Sequence, residues 1–353
     1  MSRLPRTQNS VAVLFGIEWP TMLIWLLCWT FYFLLVAYHD AIHPLVFVLL
    51  ASLTATWHSS FQHEAIHGHP TQSERLNRLL ASPSMALWLP FEDYRVSHLT
   101  HHINDDLTHP DRDPESFYVW QAAWDRFGGW RRWLMRRSNT LLGRMTIGAT
   151  IMMISNIVSC AGLMLQGNLR MWRIMLNHCA FSLPPTAIAL VIFELPTWQY
   201  LVGFQFGAAF WLSLRSFLEH EAATGVGRRT AMVFDPVLPP TSWFTGFFSL
   251  LFLNNNLHAA HHLVPRLAWY QLPKFVYQNK DKITAWNEGN QFASYGEVAK
   301  KFAIKAKEPV VHPNGSINPE QDKESLSSLD AGIRDKRDGN DVVRKRFQST
   351  TRT

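Results

Sequence analysis

Five apolar stretches interrupt an otherwise polar chain and predict membrane helices. They cover residues 21–37, 45–57, 145–165, 174–193 and 200–217. A helix needs about 20 mostly apolar residues to cross the hydrocarbon core of a bilayer. Runs near this length predict an all-α integral membrane protein. The first two runs are joined by a short turn at residues 38–43, so they predict a helical hairpin that enters and leaves the membrane.

The remaining segments are too polar or too short to cross. Residues 68–144 are mostly polar, and their apolar patch at residues 85–89 is predicted to lie in the membrane interface. Residues 244–253 are apolar but short, and are predicted to follow the membrane surface. From residue 308 onward the composition is charged and polar, which is typical of disorder. We therefore predict a membrane domain at residues 1–307 and a disordered charged tail at residues 308–353.

Three histidine clusters stand outside these apolar runs. They are His63-Glu64-Ala65-Ile66-His67, His98-Leu99-Thr100-His101-His102 and His258-Ala259-Ala260-His261-His262, and they hold 8 of the 16 histidines. Side chains three and four residues apart share a helix face, so each cluster is expected to present two or three imidazoles at one point. Imidazole is a common ligand of zinc, copper and iron. Because one such ion takes about four to six ligands, eight imidazoles predict two metal ions.

The first cluster also permits a different interpretation. It matches the HExxH pattern of zinc metallopeptidases, in which the glutamate, here Glu64, is the general base. That alternative leaves the other two clusters without a role, and chance surface histidines do not account for three matching clusters. Acidic residues follow the second cluster at residues 104–106 and 109–114. They are candidates to accept the second N–H of ligand histidines, although a solvated turn is an equal alternative.

The positions of the clusters restrict the topology. If all three apolar runs between the second and third clusters crossed the membrane, the third cluster would lie opposite the first two. One run must therefore stay in the interface, and residues 145–165, interrupted by Ser155, Asn156 and Ser159, are the best candidate. The last two runs then form a second hairpin. Pro184 and Pro185 should kink or break its first helix unless neighbouring groups satisfy the freed carbonyls.

The distribution of basic residues supports the same topology. Lys and Arg are missing from the turns at residues 39–43 and 194–198, whereas arginines are frequent at residues 126–144. Basic loops stay on the cytoplasmic side of a membrane. We therefore predict four transmembrane helices in two hairpins, with interfacial helices and a cytoplasmic helical cap that carries the histidine clusters. Both termini are predicted to be cytoplasmic.

Composition adds two exclusions. The cysteines Cys28, Cys160 and Cys179 lie far apart in apolar stretches, so they predict buried free thiols rather than a disulfide framework. The formal net charge is +6, but the basic residues adjoin apolar segments or lie in the tail. That arrangement favours a membrane surface over a nucleic acid as the partner.

Taken in order, HEAIH, HLTHH and HAAHH resemble the histidine boxes of the membrane fatty acid desaturase superfamily, which includes hydroxylases and monooxygenases. The resemblance covers roughly residues 42–272. It implies a non-haem di-iron centre at the cytoplasmic face that uses O2 as co-substrate to oxidise an unactivated C–H bond. It also implies a lipid or acyl substrate from the bilayer. The electron donor is expected to be a separate ferredoxin, rubredoxin or cytochrome b5, because the tail contains no similar segment.

The resemblance carries the ligand role to the eight box histidines, and no catalytic residue beyond the ligands is expected. Several members add a histidine at the cytoplasmic end of the fourth crossing, where this chain has His220. The predicted metal ligands are His63, His67, His98, His101, His102, His220, His258, His261 and His262. His58 and His69 lack the motif spacing and are not predicted to be ligands. Asn255 is expected to cap a helix rather than to reach a metal through water.

Three functions follow from these patterns. The favoured one is fatty acyl desaturation, in which a double bond forms. Hydroxylation of an alkane, terpenoid, carotenoid or other small apolar molecule would use the same di-iron site. A metal-binding protein or transporter would place polar ligands inside the crossings, whereas these clusters lie outside the apolar runs. A bacterial inner membrane is favoured over the endoplasmic reticulum as the location.

Overall fold

The computed structural model describes residues 13–103, 107–222, 228–230, 232–233 and 246–313. Its helices are α1 Trp19–Ala37, α2 Pro44–Ile66, α3 Glu74–Ala81, α4 Phe91–Ile103, α5 Gln121–Arg126, α6 Gly129–Ser138, α7 Leu141–Leu165, α8 Leu169–Ile192, α9 Thr197–Glu219, α10 Phe247–Leu251, α11 His258–Leu263, α12 Leu272–Trp286 and α13 Tyr295–Phe302. Within the described residues, α1, α2, α7, α8 and α9 are long and apolar enough to cross a membrane. These helices confirm the prediction of a mostly helical membrane protein. The other helices form what we call the cap.

The strands are short and join segments of the cap. They are β1 Val13–Leu14, β2 Ile17–Glu18, β3 His220–Ala222, β4 Arg228–Thr230, β5 Met232–Val233 and β6 Gln291–Phe292. β1 pairs with β2 and β3 pairs with β4, both antiparallel, while β5 and β6 are parallel. β3 directly follows α9, so this pairing extends the chain from the end of a membrane-length helix into the cap.

Local sequence explains where several helices begin. Pro44 occupies the first turn of α2, where a missing N–H costs nothing, and His43 Nδ1 accepts a hydrogen bond from Leu45 N. The Asn168 side chain accepts the Met171 N–H at the start of α8. α8 then continues through Pro184 and Pro185 without a break.

Small residues bring α2 and α9 into close contact. A Cβ atom added to Gly203 would lie 2.9 Å from Ala51 Cβ, and one added to Gly207 would lie 2.3 Å from Ser52 Cβ. Small residues at a helix interface let two backbones approach, which is common in membranes. Predicted ligands lie at or next to the C-terminal ends of both helices, so this contact fixes how far apart those helix ends lie.

The apolar patch at residues 85–89 packs within the helix bundle. Met85 and Trp88 are buried, and Gln205 Oε1 accepts a hydrogen bond from Leu87 N at 2.7 Å. The position of this patch in the membrane interface stays a prediction. The Gln205 side chain supplies in the bundle the partners that water would supply at an interface. The apolar patch can therefore enter the bundle without forming a helix of its own.

α7 runs beside the same stretch. Asn156 Nδ2 donates to Trp88 O at 2.7 Å, and Cys160 Sγ lies 3.8 Å from Asp93 Oδ2 in the first turn of α4. α7 is nevertheless one of the five helices long enough to cross. The expectation of four crossings, with residues 145–165 in the interface, therefore stays a prediction.

The C-terminal part of the described chain packs on the cap. Val119 N donates to Val310 O, and His312 N donates to Val119 O. The predicted disordered tail falls, from residue 314 onward, outside the described residues. The division into a domain at residues 1–307 and a tail at residues 308–353 stays a prediction.

Candidate metal centre

The nine predicted ligands converge into two adjacent groups. Group 1 contains His63, His67, His98, His102 and His261, and group 2 contains His101, His220, His258 and His262. Within group 2, and within group 1 apart from His102, the nearest ring nitrogens lie within 4.8 Å of one another. His102 Nε2 joins group 1 at 3.0 Å from His98 Nε2 and 3.1 Å from His261 Nε2. Their binding of metal stays a prediction.

Each HxxHH box divides its histidines between the two groups, although a single convergence point was expected. On α4, His98 and His102 enter group 1 while His101 enters group 2. On α11, His261 enters group 1, whereas His258 and His262 enter group 2. At 3.6 residues per turn, side chains at i and i+4 diverge by about 40°, whereas i+3 and i+4 diverge by about 100°. The i, i+4 pair therefore serves one group and the i+3 histidine serves the other.

The two groups lie side by side. The rings of His102 and His262, which belong to different groups, stack with centroids 4.3 Å apart. The centroids of His101 and His262 are 5.1 Å apart within group 2. This spacing would bring two bound ions close together.

Two carboxylates determine which ring nitrogen of His98 and of His101 points into its group. His98 Nδ1 lies 2.8 Å from Glu115 Oε1, and His101 Nδ1 lies 2.7 Å from Asp113 Oδ1. Donating Nδ1–H to a carboxylate leaves the lone pair of a neutral imidazole on Nε2. Asp113 lies in the acidic stretch predicted to act in this way. Glu115 lies just beyond it and was missed, and residues 104–106 of that prediction fall outside the described residues.

The ring nitrogens of the two groups are arranged so that they could bind two cations. His98 Nε2 lies 3.1 Å from His67 Nε2, and His101 Nε2 lies 2.9 Å from His220 Nε2. An imidazole nitrogen that carries a lone pair repels another at this distance, unless a proton or a cation lies between them. Neutral imidazoles grouped without thiolates are suited to a first-row metal such as iron.

Burial keeps most of these imidazoles neutral. Burial, reinforced by neighbouring imidazoles, lowers the pKa of His102, His258, His261 and His262 well below its usual value. His101 differs. Burial lowers its pKa, but the carboxylates of Glu115 and Asp113 outweigh that effect and raise it. A deprotonated ring is the form that binds metal, so burial prepares these ligands.

A second set of polar partners supports group 2 from the side of α9. His258 Nδ1 lies 3.3 Å from Asn255 Oδ1, and Asn255 Nδ2 donates to Glu219 Oε1 at 3.4 Å. Arg215 forms an ion pair with Glu219 at 2.7 Å, with both side chains buried. The expected helix-capping role of Asn255 is wrong, because Leu257 precedes α11 and no side chain caps it. A charged i, i+4 pair in an apolar run was the sequence signal for Arg215 and Glu219.

The remaining histidines near the first box lie outside both groups. His69 Nδ1 lies 2.7 Å from Glu18 Oε2, and the buried His58 ring packs against Trp29. Glu64 Oε2 accepts the backbone N–H of Trp269 at 3.1 Å. This bond holds α2 to the segment after the third box, a structural role that differs from that of a peptidase general base.

Sequence comparison agrees with this geometry. A family model described as fatty acid desaturase matches residues 41–285, a span that includes all nine histidines. No curated protein matches the chain.

Proposed function

This chain belongs to the fatty acid desaturase family, and we propose that it is a di-iron oxidoreductase that introduces a double bond into a fatty acyl chain. The family supports an oxidation of the desaturase or hydroxylase type, a lipid substrate and a membrane setting. The acyl specificity, the two irons and the nature of the electron donor are our proposals.

The adjacency of the two histidine groups is the observation that carries the proposal. Group 1 would hold one iron and group 2 the other, and His102 and His262 stack across their boundary. When bound, iron supplies the one-electron and O2 chemistry that amino-acid side chains lack.

The protein's own residues prepare the site for that chemistry. Glu115 and Asp113 hold His98 and His101 with Nε2 toward the group interiors. The ligands are mostly buried, which keeps bulk water away from a reactive centre. The close contact of α2 and α9 sets the distance between the helix ends next to His63 and His220.

The proposed reaction balances with one external donor. Desaturation removes two hydrogens from adjacent carbons and reduces O2 to two water molecules. The substrate supplies two electrons and two protons. A separate ferredoxin, rubredoxin or cytochrome b5 supplies two further electrons, delivered one at a time, and solvent supplies two protons. Hydroxylation of an apolar molecule uses the same inputs but retains one oxygen atom in the product.

We also propose four crossings, with the metal centre and both termini cytoplasmic, in a bacterial inner membrane. The convergence of all three histidine boxes supports this topology, because three crossings between the second and third boxes would separate them across the membrane. The lack of basic residues in the turns at residues 39–43 and 194–198 supports the same orientation.

Lipid profiles of an expressing strain test the function. We expect new unsaturated acyl chains by mass spectrometry with the wild type, none with His101→Ala, and the wild-type product with His43→Asn. His43 is exposed at the far end of α2, and asparagine can still cap the helix. Alcohols that retain oxygen-18 from labelled O2 would favour the hydroxylase instead. Purified protein that contains zinc but no iron, and that consumes no O2 in the presence of a reductant, would contradict both the desaturase and the hydroxylase.

A further inference from the structure

His220 is held differently from the other predicted ligands. The eight box histidines lie within α2, α4 or α11 or at the end of α2, whereas His220 lies beyond α9 in the three-residue strand β3. Its backbone is extended, with φ −138° and ψ 147°. Helical hydrogen bonds therefore do not set its position. The β3 backbone is held instead by its pairing with β4 and by contacts with side chains.

Side chains from two distant segments bind the β3 backbone. Lys307 Nζ donates to His220 O at 2.8 Å. Two residues later in β3, Ala222 N donates to the Tyr118 hydroxyl at 2.7 Å. Glu308 joins the two contacts, because it pairs with Lys307 Nζ at 2.8 Å and accepts the Tyr118 O–H. Together these side chains form a closed polar bridge around the strand that carries His220.

The segment that supplies Lys307 and Glu308 is itself fixed to the cap. Lys307 N donates to Asn139 O at 2.9 Å, and Asn139 Nδ2 donates to Glu308 O at 2.8 Å. Farther along, Val119 N donates to Val310 O at 3.1 Å. We call residues 307–312 the C-terminal strap.

The ion pair in the strap is almost fully buried. The Lys307 and Glu308 side chains are only 8% and 10% exposed. Buried ion pairs often contribute little net stability, because removing both charges from water offsets their attraction. Here each charge has a second partner on or beside β3, so the pair specifies where that strand lies.

We propose that the C-terminal strap completes the second metal site, with Lys307 and Glu308 as positioning residues for His220. This inference rests on the proposed function, since it presumes that group 2 binds an ion. It assigns a role in the metal site to residues outside the family match, which ends at residue 285. Residues 307–312 therefore belong functionally with the membrane domain rather than with the charged tail.

Metal titration of the full chain tests the proposal. Metal-free protein in detergent would be titrated anaerobically with Fe(II), with bound iron measured by mass spectrometry and Co(II) as an absorbing substitute. We expect two ions per wild-type chain. Partners outside the ligand shell typically change affinity about 10- to 100-fold, so Lys307→Met and Glu308→Gln should weaken one binding event by that factor. His220→Ala should weaken the same event, and His63→Ala the other.

Further variants separate positioning from general damage. Lys307→Arg should restore much of the binding because it keeps a buried donor, and the exposed Lys305→Met should match the wild type. A chain that ends after Ala306 should lose the group 2 ion, whereas one that ends after Pro313 should keep it. If Lys307→Met fails to fold, Tyr118→Phe, which removes only a hydroxyl, carries the test.

The outcomes distinguish this inference from the proposed function. Two tight ions in Lys307→Met or Tyr118→Phe would overturn the role of the strap while leaving the two-metal site intact. Equal weakening of both binding events would also overturn it, because it would show general loss of structure. A wild-type chain that binds fewer than two ions would overturn the proposed function itself.

Discussion

Glu115 illustrates how a single residue outside the histidine boxes can set ligand strength. Its carboxylate lies 2.8 Å from His98 Nδ1. Burial opposes its ionisation, but His101 and His98 nevertheless hold the pKa of Glu115 below its usual value. Glu115 therefore stays charged at neutral pH and fixes the orientation of the His98 ring.

We predict that Glu115→Ala weakens metal binding at group 1 about 10- to 100-fold, because His98 loses the acceptor that directs Nε2 inward. Glu115→Gln should lose less, since an amide oxygen still accepts the N–H. Fe(II) titration of the metal-free protein measures the effect, with the exposed Glu74→Ala as the control. Unchanged affinity in Glu115→Ala would show that packing alone orients His98.

At the scale of elements, the glycines of α9 control the approach of two membrane-length helices. Gly207 has no room for a Cβ, because Ser52 Cβ would lie 2.3 Å away. Gly162, in α7, has no neighbouring atom within 4 Å of the same position. Gly207 is therefore crowded and Gly162 is open, and both lie inside helices.

Gly207→Ala should destabilise the fold by about 1–3 kcal/mol, because α2 and α9 must separate to accept the methyl group. Gly162→Ala should be neutral or stabilising by up to about 1 kcal/mol, since alanine is the better helix former. Thermal unfolding in detergent, followed by tryptophan fluorescence, compares the two variants. Equal stability would mean that the helix contact is loose.

The orientation of α7 has a direct test. Four crossings require Gln166, just after α7, to lie on the same side as the cap helices that precede α7, whereas an α7 that crosses places it opposite. Single added cysteines at Gln166, at the exposed Gln121 of α5 and at Thr197 at the start of α9 would be labelled with an impermeant maleimide in sealed vesicles. We expect Gln166→Cys and Gln121→Cys to react from one side and Thr197→Cys from the other.

The wild-type chain supplies the background for that labelling, since Cys28 and Cys160 are buried and Cys179 is half-buried. Gln166→Cys reacting from the side opposite to Gln121→Cys would contradict the proposed topology, because α7 would then cross the membrane. It would also require another of the five long helices to stay on one side, because all nine histidines meet at one place.

At the scale of the whole molecule, sequence periodicity predicts which side chains share one face of a helix. It does not predict how the helices are rotated relative to one another. Histidine spacing was enough to predict eight of the nine residues that converge, and the family resemblance added His220. The division of each HxxHH box between two groups depends on how α4 and α11 face each other, which no local pattern encodes. The predicted domain boundary separates Lys307 from Glu308. The charged sequence around them resembles the tail, and their partners, such as Tyr118, are far away in sequence.

The same long-range convergence predicts that metal binding stabilises the entire fold. The nine histidines come from α2, α4, β3 and α11, so bound ions would connect segments separated by up to about 200 residues, which are free to part in the unfolded chain. A ligand that binds only the folded state at 100 times its Kd adds about 2.7 kcal/mol. Removing metal with a chelator should therefore lower the midpoint of thermal unfolding, and Fe(II) should restore it. The double variant His63→Ala/His258→Ala, which weakens both groups, should show little shift with Fe(II). An equal shift in the variant and the wild type would mean that iron stabilises the protein elsewhere.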